Sequence, residues 1–249
     1  MNPDLAYSAA GVAAGALNAL GGGGSFVTLP ALVACGFSAL QANAIGTVAL
    51  LPGGYLAAWK YRTRFRRFDA VGTGVLGAAS LVGGAIGACL LWRTPVRAFE
   101  GVVPWLVLVA TVIFAAGPRL IRRPDGPREA GPIWLVAVQL VIGVYTGFYG
   151  GGAGIIMVAV WATCTRRDPL ELNAMRMVMV PVANTAAAAV LLAAGLAMTR
   201  ATMILCVTGA LGSLVGASIL MRLPARAVRH LIIAIGVAVS IGLFAREFG

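Results

Sequence analysis

Two glycine clusters and one arginine are the residues of this sequence best suited to chemistry, and that chemistry is anion binding. Gly21-Gly22-Gly23-Gly24 interrupts residues 5–59, a stretch without a single charge. Gly150-Gly151-Gly152 interrupts a second uncharged stretch, residues 130–165. Glycine costs about 1 kcal/mol relative to alanine in a helix interior, so clusters of three and four break helices. In a bilayer, non-helical backbone survives only where protein buries it or where it lines a cavity. New helices are expected to start near Ser25 and Ala153. A first helical turn offers unpaired N–H groups and a partial positive charge. Both suit an oxyanion, and glycine lets it approach the backbone closely. Tight helix packing through small residues is the competing explanation of the same glycines.

Arg176 is the sharpest single residue. It lies inside an apolar block, and an ionisable group within a membrane span is by default a functional-site hypothesis. Its planar fork of donors suits a pair of sulfite or sulfonate oxygens. The alternative is snorkelling to an interface only about 7.5 Å of helix away. Asn43 and Asn173 occupy matching places in the two halves, where an amide serves either as ligand contact or as interhelical glue. The expected substrate-binding set is Gly22, Gly23, Gly24, Ser25, Asn43, Thr47, Gly150, Gly151, Gly152, Ala153, Asn173 and Arg176. Asn18, Gln41 and Asn184 are weaker candidates of the same kind.

Other chemistries find no support. All eight acidic residues fall in loops or at block ends, so no carboxylate relay or carboxylate cation site is visible. The single histidine, His230, sits beside Arg226 and Arg229 as an interfacial residue does. Cys35, Cys89, Cys164 and Cys206 lie in apolar blocks without metal-ligand spacing. No nucleophile–base pair appears, so no catalytic residue, metal or cofactor is expected.

These residues need a scaffold, and composition says which. Sixty per cent of the residues are hydrophobic and 11% charged, against roughly 25% charged in soluble domains. The expected fold is an all-α polytopic membrane protein, forming one transmembrane domain over residues 1–249. Its formal charge of +11 is gathered in short clusters between apolar blocks. Such clusters mark cytoplasmic loops rather than a nucleic-acid surface. The N-terminus lacks the positive region of a signal peptide, so the first apolar block reads as a membrane helix.

Eight apolar blocks are legible, near 5–37, 40–59, 70–92, 98–118, 131–165, 172–197, 201–221 and 226–245. Blocks one and five exceed the roughly 20 residues of a spanning helix, and each is cut by its glycines. The charged, Pro- and Gly-bearing segment 119–131 divides the chain into halves, 1–118 and 132–249. The halves repeat each other. Leu40-Gln41-Ala42-Asn43-Ala44 matches Leu170-Glu171-Leu172-Asn173-Ala174, 130 positions on. Gly22 to Gly24 match Gly150 to Gly152 at 128 positions. Gly87-Ala88, Arg93, Pro95, Arg97 and Ala98 match Gly216-Ala217, Arg222, Pro224, Arg226 and Ala227 at 129. Three ordered matches at nearly constant offset indicate a duplication.

Loop charge bears on the orientation of the repeats. If blocks one and five cross once each, the basic residues divide 11 to 7 between the two faces. If both are hairpins that return to their own side, the division is 14 to 4, with Arg176 inside a block. The second division fits the positive-inside rule better. Inverted repeats, with both termini outside, are therefore preferred.

The run Gly21-Gly22-Gly23-Gly24-Ser25-Phe26-Val27-Thr28-Leu29-Pro30, followed by Ala44-Ile45-Gly46-Thr47, resembles the first repeat of the TauE/SafE sulfite-exporter family. Gly147-Phe148-Tyr149-Gly150-Gly151-Gly152 resembles that family's second repeat. The likeness spans essentially the full length. It implies a bacterial or archaeal inner-membrane permease for small sulfur-containing anions or organosulfonates. One departure leaves the substrate open: Met175-Arg176-Met177 stands where the first half has Ile45-Gly46-Thr47. The expected function is transport of a sulfite-like or sulfonate anion bound between the two glycine breaks. A channel-like or structural membrane protein is the alternative. The expected partners are a small anion and the lipid bilayer, with no nucleic acid. Coupling ion, direction and oligomeric state stay open, a homodimer among the options.

Overall fold

The structure, a computed structural model, describes residues 3–60, 70–121, 131–165, 169–220 and 225–248. The described residues form helices joined by short connections, with no strand among them. In the first half these are α1 (Pro3–Gly21), α2 (Ser25–Ala34), α3 (Ala39–Ala49), α4 (Leu51–Lys60), α5 (Ala70–Arg93) and α6 (Val96–Ile121). The second half holds α7 (Pro132–Phe148), α8 (Ala153–Cys164), α9 (Pro169–Ala193), α10 (Arg200–Leu220) and α11 (Ala225–Phe248). The linker 119–131 falls largely outside the described residues, as do the basic segment 61–69, residues 166–168 and residues 221–224.

Local chemistry explains where the helices stop. α1 gives way at Gly22, whose φ of +77° is left-handed, a conformation that glycine adopts without a Cβ penalty. Gly150 and Gly152, at φ +73° and +72°, make the corresponding turn between α7 and α8. α2 and α8, with 10 and 12 residues, extend only about 15 and 18 Å. Each packs back on the helix before it, α2 on α1 and α8 on α7. Ser38 caps α3 by accepting a hydrogen bond from the Gln41 N–H at 3.2 Å.

The second apolar block is two helices rather than one. Pro52 has no N–H to give the Val48 carbonyl, so the helix breaks at Leu50. The Cys206 thiol approaches that carbonyl at 3.8 Å. Pro181 lies inside α9, and the Thr185 hydroxyl donates to the Pro181 carbonyl at 2.9 Å. Tyr55 and Thr185 share a 2.6 Å hydrogen bond that ties α4 to α9.

Two glycine seams hold the long helices together. α1 lies on α10, with Gly11 and Gly15 against Thr208 and Gly209. α5 lies on α7, with Gly83, Gly84 and Gly87 against Gly143, Val144 and Gly147, and Gly84 also meets Ala183 of α9. A methyl group at any of these α5 positions would run into a neighbouring carbonyl. Close backbone approach of this kind is how helices associate in lipid, where burying leucine gives no net gain.

The outer surface is apolar. Ile133 is 85% exposed, Met203 75% and Val141 67%, on helices that are otherwise well packed. In water such a surface would be a liability, whereas in a bilayer it is the solvent-facing side. Gly72–Arg93, Val96–Ala116 and Glu171–Ala193 are each long and apolar enough to cross a membrane.

Candidate functional site

The Arg176 side chain sits where the two glycine breaks come together. The residue is only 6% exposed, so its guanidinium does not reach the surface. Its Nε donates to Asn173 Oδ1 at 2.6 Å, one turn earlier on α9. That bond fixes the plane of the fork. Two glycines make room for the far end. A methyl added to Gly154, the second residue of α8, would lie 2.9 Å from Arg176 Nη1. One added to Gly22 would lie 3.8 Å from both Nη1 and the Gly154 backbone nitrogen. Arg176 Nη1, the first turn of α8 and the left-handed turn after α1 thus converge within a few ångströms.

A cavity of about 30 Å³ opens at this meeting point. α1 and its break contribute Asn18 and Gly22, the kink between α3 and α4 contributes Leu50 and Leu51, and α4 adds Gly54 and Ala57. Gly154 enters from α8, and α9 lines the rest with Arg176, Met177, Val180, Pro181 and Asn184. The volume exceeds the roughly 10–15 Å³ that one water requires. Its lining holds a cation and two carboxamides but no carboxylate. Asn184 Oδ1 is buried without a hydrogen-bond partner among the described residues. The N-terminal end of α8 adds partial positive charge, and no hydrogen bond from the Gly154 N–H appears among the described residues. Chemically, the arrangement offers a fixed guanidinium, a helix N-terminus and amides to a small anion.

The other residues expected at the site are placed elsewhere. A methyl on Gly23 would meet Ile232 of α11 at 3.4 Å, and Gly24 packs against Leu50 and Ala14. Ser25 is half-buried at the start of α2. Asn43 Nδ2 donates to the Phe148 carbonyl at 2.9 Å, joining α3 to the end of α7, and the Thr47 hydroxyl donates to the Asn43 carbonyl at 2.9 Å. The Gly151 carbonyl accepts from the Tyr145 hydroxyl at 2.7 Å. A methyl on Gly150 would lie 2.9 Å from the Thr146 carbonyl, and one on Gly152 would lie 3.2 Å from Ala110 of α6. Ala153 is fully buried. The structure therefore gathers Gly22, Asn173 and Arg176 from the expected set, together with Asn18 and Asn184. Sequence reasoning missed Gly154, Gly54, the break beside Pro52 and the proline inside α9, Pro181. A signal for the two prolines was present, since Pro52 and Pro181 stand 129 positions apart, within the 128–130 spacing of the sequence matches between the two halves. Among the described residues no group of His, Cys, Asp and Glu could hold a metal ion.

An all-helical body with a lipid-facing apolar surface and a small cationic cavity between broken helices defines a multi-pass membrane protein. Residues 7–243 match the model of the sulfite exporter TauE/SafE family. The chain belongs to that family, whose members are membrane transporters and not enzymes. A curated relative from Haemophilus influenzae, described as a probable membrane transporter protein, is 27% identical over 224 residues. The match covers 90% of this chain and 87% of the relative. No solved structure matches the chain.

Proposed function

We propose that this transporter carries a small sulfur oxyanion, sulfite or a compact organosulfonate, through the cavity at Arg176. The observation that carries the reading is the buried guanidinium, held by Asn173 and set against the first turn of α8. An ionisable side chain inside a membrane protein is costly and by default marks a substrate path. The small volume favours a compact ion in this arrangement over a long-tailed sulfonate.

The same proposal takes the chain as two inverted repeats in a bacterial or archaeal inner membrane, both termini outside. Pairing α1 with α7, α2 with α8, α3–α4 with α9, α5 with α10 and α6 with α11 makes the packing self-consistent. The α1–α10 contact then maps onto α7–α5, and α6–α8 onto α11–α2. The contacts α4–α9 and α6–α11 map onto themselves. Transporters built this way place their substrate at the interface of the repeats, beside discontinuous helices. The lining of the cavity by residues from both halves of the chain supports this reading.

Reconstitution into proteoliposomes tests the function. Flux is measured for sulfite, thiosulfate, sulfoacetate, sulfate and a carboxylate of similar size. The expected result is saturable movement of at least one sulfur oxyanion and none of the carboxylate. Flux no faster than in protein-free vesicles for every ion refutes the proposal. Unsaturable flux shared by all the anions would point instead to a channel.

A further inference from the structure

The cavity at Arg176 is too tight for any sulfur oxyanion as the helices stand. Its volume of about 30 Å³ gives room for about two or three waters at roughly 10–15 Å³ each. Even sulfite, a sulfur atom with its oxygens, needs more. One wall of the cavity must therefore give way before an anion is loaded.

The sequence of two helices says which wall can move. Leu51, Gly54 and Ala57 form a stripe of α4 along the cavity, and Met177, Val180, Pro181 and Asn184 form the facing stripe of α9. Both helices are weakened at this level. The first breaks at Leu50 beside Pro52, and Pro181 leaves the Met177 carbonyl without its helical N–H. Proline is a usual place for a helix to bend sharply. Beside these prolines α4 and α9 close on each other, and a methyl on Gly54 would lie 3.1 Å from Pro181 Cγ.

A polar tie lies next to this contact. Tyr55, beside Gly54, and Thr185, beside Asn184, share the 2.6 Å hydrogen bond. The Thr185 hydroxyl already gives its proton to the Pro181 carbonyl at 2.9 Å, so Tyr55 is the donor and Thr185 the acceptor. Tyr55 is 43% exposed, whereas Ala57 in the lining is 5% exposed. The bond thus sits on the outer side of the α4–α9 seam. It joins the first half of the chain to the second, 130 positions on.

We infer that the Tyr55–Thr185 hydrogen bond is a latch that holds the cavity shut, and that an anion is loaded when α4 and α9 part at this bond. The inference rests on the cavity being the transport path. A hydrogen bond between membrane helices is weak enough to release, and its loss should raise the ratio of open to shut protein about 2- to 10-fold. A protein that must open before it binds has its apparent Kd raised by the rarity of the open form. Loss of the latch should therefore tighten anion binding, the opposite of what damage to a binding site does.

The test places a single thiol in the cavity wall of the intact protein, as Ala57→Cys in a cysteine-free background. Its alkylation by iodoacetamide is followed by mass spectrometry, well below the thermal midpoint of each variant. Tyr55→Phe should speed alkylation about 2- to 10-fold, and Thr185→Val should do the same. Adding Tyr55→Phe to Thr185→Val should give no further increase, because one bond is lost in either case. Thr185→Ser keeps the acceptor and should react at the parent rate. With Ala57 restored, Tyr55→Phe should lower the apparent Kd for sulfite by a similar factor wherever the parent binds it. A parent-like alkylation rate in Tyr55→Phe overturns the inference, as do additive effects of the two substitutions or weaker sulfite binding in Tyr55→Phe. Alkylation reads the opening of the cavity whatever ion is carried. A protein that moves no anion would refute the transport proposal without touching this result, and a Tyr55→Phe protein that carries sulfite yet alkylates like the parent would sink the latch alone.

Discussion

Replacing Arg176 by methionine separates a ligand-binding arginine from a structural one. Methionine keeps much of the side chain's length and removes the charge, the fork and the Nε bond to Asn173. Hydrogen bonds to a charged partner contribute about 1.5–3 kcal/mol. Losing that amount weakens anion binding about 10- to 100-fold. Stability should respond in the opposite sense. Arg176 is 6% exposed, and exchanging a buried ion for an apolar group of similar volume is often neutral or stabilising. The thermal midpoint of the ligand-free variant is therefore expected to hold or rise, while the shift produced by anion shrinks. At a ligand concentration 100 times Kd, binding stabilises the parent by about 2.7 kcal/mol. A 100-fold weaker variant at the same concentration gains only about 0.4 kcal/mol. Arg176→Lys keeps the charge without the fork and should fall between the two. Dianions should suffer more than monoanions from Arg176→Met, since the lost interaction is electrostatic. Calorimetric titration and thermal scans of the purified variants measure both effects. Parent-like affinity of Arg176→Met for every anion would refute the reasoning and leave the α8 N-terminus as the main ligand.

Two further outcomes test the scaffold. Gly84→Ala forces a methyl into the Ala183 carbonyl and should cost about 1–3 kcal/mol. Gly77→Ala, on the same helix with nothing within 4 Å, should be neutral or stabilising by up to about 1 kcal/mol. Thermal midpoints in detergent compare them, and a Gly84→Ala protein as stable as Gly77→Ala would contradict the seam. In a cysteine-free background, Arg64→Cys and Pro224→Cys should both react with an impermeant thiol reagent from the cytoplasmic face. Labelling from opposite faces would end the inverted arrangement.

The glycine clusters and Arg176 were visible in the sequence because they break its rules. Three or four glycines in apolar surroundings stand out, as does a charge inside a block. What could not be read was which neighbours they meet. Gly154 matters because α8 starts beside α9, and Gly54 because α4 faces Pro181. Both are outcomes of packing between helices far apart in the chain. In a soluble protein an amphipathic stripe would have shown the inward face. In lipid both faces are apolar, so Ile133 on the outside and Ile142 in the core look alike in sequence. Asn43 and Asn173 illustrate the same loss. They occupy matching positions, yet one holds the Phe148 carbonyl and the other holds Arg176. Composition fixed the residue type; only the partner separates glue from site support.

The α1–α10 seam has a consequence for how the molecule is made. Gly15 closes against Gly209, 194 positions later in the chain. At synthesis rates of 5–20 residues per second, roughly 10–40 s pass between the two. During that interval the first helix sits in the bilayer with its glycine face bare and its proper partner not yet translated. Insertion and assembly are thus separated in time. Any truncation before residue 200 yields a chain whose first helix has no seam to close, and such a product is a natural target for membrane quality control.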